Sequence, residues 1–214
     1  MPMLQTELLQ VVDAETGEPT GEHMPRKEVF EKQAWVRTTN IFVLNPQGQI
    51  LCHQRSLDKE RFPGAWSTHF GGHVTKDESF KISALKELEE EIGFKVNPFQ
   101  LIPWRTSKKV ASRIWVRDFI TLYSGTTEEL KVQGLEIQSV KWFSPEEVLQ
   151  QLDSEESHAI GGKQWLAGTH DFHADYQCMR AVLTATLDIG IFGGDFKPLH
   201  KWHPPAGKGS QAPH

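Results

Sequence analysis

The sequence predicts an α/β fold in which a sheet carries helices on two sides. Three observations predict it: runs of β-branched and aromatic residues bounded by turn residues, an amphipathic stretch at 80–92, and a longer stretch with a broad apolar face from residue 172 onward. A chain of 214 residues is long enough for one sizeable core, and two full domains would be a tight fit. One domain is therefore expected over 1–196. The segment 197–214, rich in Gly, Pro, Lys and His, is a poor core former and reads as a flexible tail.

Taken in order, LLQVV at 8–12 reads as a short strand, and 13–26, rich in Gly, Pro and acidic residues, as a turn-bearing loop. Residues 28–34 make a helical turn or a loop. WVRTTNIFVL at 35–44 is the first long strand, NPQGQ at 45–49 a tight connection and ILCHQR at 50–55 a second strand, so the pair reads as a hairpin. At about 100° per residue, Phe80, Ala84, Leu88 and Ile92 fall near one line with Leu85 beside them, a stripe that must be buried. Asp77 and Glu78 suit the first turn of this helix, and Gly93 its left-handed end. Strands are expected at 99–104, 113–123 and 140–143, with a polar turn at 107–109 and a polar loop at 124–138. Ser144 as N-cap, Pro145 at the first helical position and Glu147 three residues on predict a helix over SPEEVLQQL. The final helix is expected over 172–192, with Tyr176, Met179, Val182, Leu183, Leu187 and Ile191 on its apolar face and Gly190, Gly193 and Gly194 at its end.

The chemistry lies on the other face of the helix at 80–92. Glu87 and Glu91 are four residues apart, Glu90 is three from Glu87, and all three point roughly the same way while Glu89 is turned aside. Carboxylates this close repel one another unless something positive sits among them. Oxygen-only ligands favour Mg²⁺ or Mn²⁺ over zinc. The carbonyl of Gly71 or Gly72 can supply a further oxygen, because glycine lets the backbone come close to the helix. His69 and His73 have no third ligand at a usual zinc spacing and read as packing or phosphate-binding groups. His170 and His173 flank Asp171 at the start of the last helix, which reads as a helix cap.

The residues Gly72, Glu78, Lys86, Glu87, Leu88, Glu90, Glu91, Gly93 and Phe94 resemble the Nudix box, the signature of hydrolases that cleave a diphosphate linked to another moiety. Lys86 stands where that family has arginine; it keeps the charge but loses the planar fork that can hold a carboxylate from two sides. The resemblance implies a Nudix-type α/β/α sandwich with a mixed central sheet. It also implies Mg²⁺-dependent hydrolysis of a nucleoside diphosphate derivative or another small organic diphosphate, with Mn²⁺ as a substitute ion. Within the superfamily, the initial strand and hairpin, the FPGAW loop, and Trp66, Gly72 and His73 resemble the isopentenyl diphosphate isomerase branch. That branch has a catalytic cysteine where this chain has Gly71. It has metal-binding histidines where this chain offers Val29 and Val36, and glutamates where it offers Ser112 and Ile114. The combination reads as isomerase architecture with hydrolase chemistry; the alternatives are an isoprenoid diphosphate isomerase and a non-catalytic Nudix module that binds a nucleotide or a protein.

On this reading Glu87, Glu90 and Glu91 hold the metal, and either Glu90 or Glu136 takes the proton of the attacking water. Family members often supply a carboxylate from this side, where Glu128, Glu129 and Glu136 lie, and Glu136 is singled out because it comes just before the VKWF strand. Arg55, Lys59 and Arg61 are the candidate phosphate ligands, and Trp66, Phe70 or Trp115 would border the organic moiety. A net charge of −5 without a long basic run gives no reason to expect a nucleic-acid polymer as partner. Two isolated cysteines, Cys52 and Cys178, suit a reducing compartment. With neither a signal segment nor eighteen consecutive apolar residues, a cytoplasmic protein away from membranes is expected. The N-terminal segment and the last helix offer faces for a homodimer.

Overall fold

A computed structural model describes residues 7–153, 165–166 and 171–188. Strands β1 (Leu8–Val12) and β2 (Pro19–Pro25) form an antiparallel hairpin, so half of the loop expected at 13–26 is strand. Its turn is held by Asp13, whose carboxylate accepts from the Glu15 and Thr16 N–H groups at 3.0 and 2.7 Å. Helix α1 (Arg26–Lys32) leads into β3 (Val36–Leu44), β4 (Ile50–Arg55) and the short β5 (Trp66–Ser67). Then follow α2 (Phe80–Ile92), β6 (Ile102–Lys109), β7 (Ile114–Leu122), β8 (Ile137–Phe143), α3 (Pro145–Asp153), β9 (Trp165–Leu166) and α4 (Phe172–Asp188).

Successive side chains of β3 enter different cores, as the two-residue strand period requires. Ile41 and Val43 pack with Ala84, Leu88 and Ile92 of α2, whereas Phe42 and Leu44 pack with Val148 of α3 and Tyr176, Met179 and Leu183 of α4. The sheet is thus covered on both faces. It is mixed: β3 runs parallel to β7 along its whole length, whereas β6/β7 and β4/β8 are antiparallel. No helix among the described residues is long and apolar enough to cross a membrane.

Several boundaries differ from those expected. The β3–β4 hairpin is splayed: the strands pair at Leu44 and Ile50 and then part, β4 going to β8 and β5. Both strands bury side chains on both faces, so each sits inside the sheet and needs neighbours along both edges. The wedge between them admits residues 70–75, which bridge back at Ile41–Phe70, Thr38–His73 and Leu9–Thr75. Asp77 and Glu78 precede α2 rather than forming its first turn; Ser79 is the cap, its Oγ accepting from Ile82 N–H at 3.2 Å. Residues 107–109, expected as a turn, are the end of β6, because Lys108 lies over the Trp35 and Trp115 rings and pairs with Glu15 at 3.0 Å. β8 begins at Ile137, three residues early. The α3 cap is as expected, with Ser144 and Glu147 each accepting from the other's N–H. In α4, Tyr176, Met179 and Leu183 are buried. The Leu187 side chain, His158, His170, Ile191, the glycines at 190, 193 and 194, and the segment 197–214 lie outside the described residues.

Candidate active site

A cavity of about 580 Å³ opens between α2, the 71–73 segment, the end of β4 and the loop before β8. Its walls include Glu87, Glu90 and Glu91 on one side and Arg55, Lys59 and Arg26 as cations, with Glu136 among them. The apolar stripe sets this arrangement. Ala84, Leu88 and Ile92 are fully buried under the sheet, which turns Glu91 inward, leaves Glu87 half-buried and sends Glu90 to the rim. Glu89 points away and pairs with Lys95 at 2.8 Å.

Two glycines bring main chain and helix together. Gly71 has φ 129°, and a Cβ there would overlap the Thr39 carbonyl; its N–H donates to Glu91 Oε2 at 3.3 Å. A Cβ on Gly72 would overlap the Glu87 carboxylate. Gly71 is thus required by the β3 main chain behind it, whereas a side chain at position 72 would displace the Glu87 carboxylate from its place.

Burial pushes the Glu87 carboxyl up to about 7, with Glu136, Glu90 and Glu7 adding to the effect and Lys86 opposing it. Burial lifts Glu91 well above the usual carboxylate range, with Glu87 adding and the Gly71 N–H opposing. Arg55 is lowered by burial, while Glu136 and Glu91 act against that shift. Burial also lowers His69 and His73 to about 4, so both are neutral at pH 7. His73 lines the cavity, and His69 faces the Phe42 ring.

Among the described residues no three His, Cys, Asp or Glu side chains converge as a ready-made metal cage. The donor set nevertheless fits a hard divalent cation. It is all oxygen, it contains buried carboxylates whose mutual repulsion calls for a positive charge, and it is open on the cavity side, where substrate oxygens and water can complete a shell. Lys86 bridges toward Glu78 at 3.3 Å and Glu90 at 4.0 Å, so it ties the segment before α2 to the acidic face.

The other expected residues divide. Lys59 lines the cavity and pairs with Glu136 at 2.8 Å, linking a candidate phosphate ligand to a candidate base. Arg61 does not line this cavity; its carbonyl accepts from Arg55 Nε and Nη2 at 3.2 and 2.9 Å, so its main chain orients Arg55. Trp66 packs on Phe143 and Trp165, Phe70 is fully buried against His53, and Trp115 donates from Nε1 to the Ala14 carbonyl; none lines the cavity. Glu129 meets the Tyr123 hydroxyl instead. Sequence reasoning missed Glu7, Arg26, Thr39 and Gln133, which do line it. No spacing marks them, since they come from four separate segments.

A family model described as the NUDIX domain matches residues 34–165. The chain is 30% identical over 148 residues to an uncharacterized Nudix hydrolase of Pseudomonas aeruginosa, covering 69% of this chain and 85% of that one. It is 23% identical over 143 residues to an isopentenyl-diphosphate Delta-isomerase of Kocuria rhizophila, covering 65% of this chain and 79% of that protein. The crystal structure of DR0079 from Deinococcus radiodurans superposes with a TM-score of 0.59 at 23% identity, over 68% of this chain and 88% of that one, a likeness of fold.

Proposed function

The chain belongs to the Nudix family, and from that premise we propose that it is a Mg²⁺-dependent hydrolase of a nucleoside diphosphate derivative or another small organic diphosphate. One observation carries the reading: buried and half-buried carboxylates face Arg55, Lys59 and Arg26 across a single cavity large enough for a diphosphate. Glu87, Glu90, Glu91 and a carbonyl of Gly71 or Gly72 are the groups that would hold the ion. When bound, Mg²⁺ or Mn²⁺ supplies charge neutralisation for the diphosphate and acidifies a water. Arg55 and Lys59 bind phosphate oxygens, Arg55 being fixed for this by the Arg61 carbonyl. Glu90, from the helix, or Glu136, beside Lys59, accepts the water's proton.

The test is product release from a panel of nucleotide sugars, nucleoside di- and triphosphates, dinucleoside polyphosphates, coenzyme A and isoprenoid diphosphates, with and without Mg²⁺. Turnover that requires the ion is expected; none across the panel sinks the proposal. The pH profiles of Glu90→Gln and Glu136→Gln separate the two bases, because only loss of the base removes the acidic limb. The isomerase alternative has less support, since Gly71 has no thiol and the Thr39 carbonyl leaves no room for one on that backbone.

A further inference from the structure

A second cavity, of about 340 Å³, adjoins the first and shares Arg26 and His73 with it. Buried Val29 and Val36, with Ile114 and the exposed Phe30, give it an apolar lining, yet Arg26, Arg61 and Arg113 also line it. No Asp or Glu lines it among the described residues, and none of these three guanidinium groups is in an ion pair there. Two arginines outside the cavity are neutralised, Arg37 by Glu18 and Arg105 by Asp118 and Asp175, so the fold does supply acids to guanidinium groups where it ties elements together. In a chain of net charge −5, three like charges left around one apolar pocket repel one another and attract an anion. The planar fork of arginine matches the oxygens of phosphate or carboxylate. A neutral hydrocarbon would suit the apolar lining but would leave the guanidinium groups without a partner.

Resting on the hydrolase reading above, we propose that this cavity is a subsite for the organic group on the far side of the scissile diphosphate, and that this group carries a further anionic substituent, phosphate or carboxylate. The diphosphate lies against Arg55 and Lys59, the organic body passes Arg26 and His73, and its second anion meets Arg61 and Arg113. Arg61 links the two compartments, because it lines the second while its carbonyl holds Arg55 in the first.

Two matched pairs of diphosphates test this. Coenzyme A and dephospho-coenzyme A differ by one phosphate; UDP-glucuronate and UDP-glucose differ by a carboxylate. Affinity is measured by calorimetry, and KM by hydrolysis with Mg²⁺, for the unmodified protein, Arg113→Gln and Arg113→Lys, with melting temperatures to confirm folding. The expected result is a preference of roughly tenfold or more for the charged member of one pair, which names the anion. Arg113→Gln abolishes the preference and Arg113→Lys restores part of it. Equal affinity within both pairs, or a preference that survives Arg113→Gln, overturns the subsite. A calorimetric preference without turnover upholds the subsite and refutes the hydrolase reading, whereas turnover without preference does the reverse.

Discussion

On the α4 side of the sheet Asp118 is 1% exposed, and on the α2 side Glu91 is 7% exposed, but the two carboxylates have opposite surroundings. Asp118 accepts from Asn40 Nδ2 at 3.0 Å and from Arg105 Nε and Nη2 at 2.9 and 2.8 Å, and Arg105 reaches on to Asp175 of α4 at 2.8 Å. Burial raises the Asp118 carboxyl, and Arg105 and Asn40 oppose that shift. Glu91 has one weak main-chain donor, Gly71, and a second carboxylate, Glu87, as its electrostatic neighbour. The first arrangement closes a charge network that ties α4 to β6 and β7. The second sets two carboxylates side by side with no ion pair of their own beside an open cavity, so ionising them costs stability, and the pair suits a cation that arrives with substrate.

The contrast is broken most strongly at Glu91. Glu91→Gln is expected to lower turnover by roughly two to three orders of magnitude, while raising the melting temperature of the metal-free protein. A variant that melts lower, or keeps its rate, removes Glu91 from the site. Asp118→Ala should do the opposite, destabilising the protein by roughly 3 kcal/mol in urea titrations by leaving Arg105 half-buried and short of a partner. Its rate per folded molecule should stay within a few-fold, measured at low temperature.

The acid dependence sharpens the same difference. The folded value for Glu87, about 7, lies above the ordinary 4.5, so folding favours its protonated form. This contribution is fully present below about pH 4.5 and is lost as pH rises through about 7, amounting to roughly 3 kcal/mol when complete. In the metal-free protein, the melting temperature relative to Glu87→Gln should therefore fall across that window, and added Mg²⁺ should restore it. A difference that stays flat with pH contradicts the burial of an uncompensated charge. The smallest effect is expected from Lys86→Arg: a second donor nitrogen between Glu78 and Glu90 should raise the initial rate by about twofold. A fall in rate would show that lysine is suited to this site.

Helix α2 was legible because most of what defines it is local: the stripe, the Gly93 cap and the three glutamates follow one another within the helix and its end, although its start was read two or three residues early and the Ser79 cap was missed. The same holds for α3, whose capping box spans four residues. The cavity was only half legible. Glu87, Glu90 and Glu91 follow from helical spacing, but Arg26 and Thr39 reach them through tertiary contacts that no window of sequence contains. The splayed hairpin was hidden for a related reason. A tight turn between two strands usually signals pairing, and here burial on both faces overrode it. Lys108 read as a turn residue because its charge is visible in sequence and the two rings beneath it are not.

The parallel pairing of β3 with β7 has a consequence for how the protein is made. Asn40 and Asp118 are neighbours across that pair although 78 residues separate them. During synthesis β3 must wait for that length of chain before its long edge is covered, and Glu136 follows later still. At roughly 5–20 residues per second, the apolar strand is exposed to chaperones and to other nascent chains for several seconds. The wall of the cavity that carries Glu136 is thus completed only after both long strands of the sheet centre have been made.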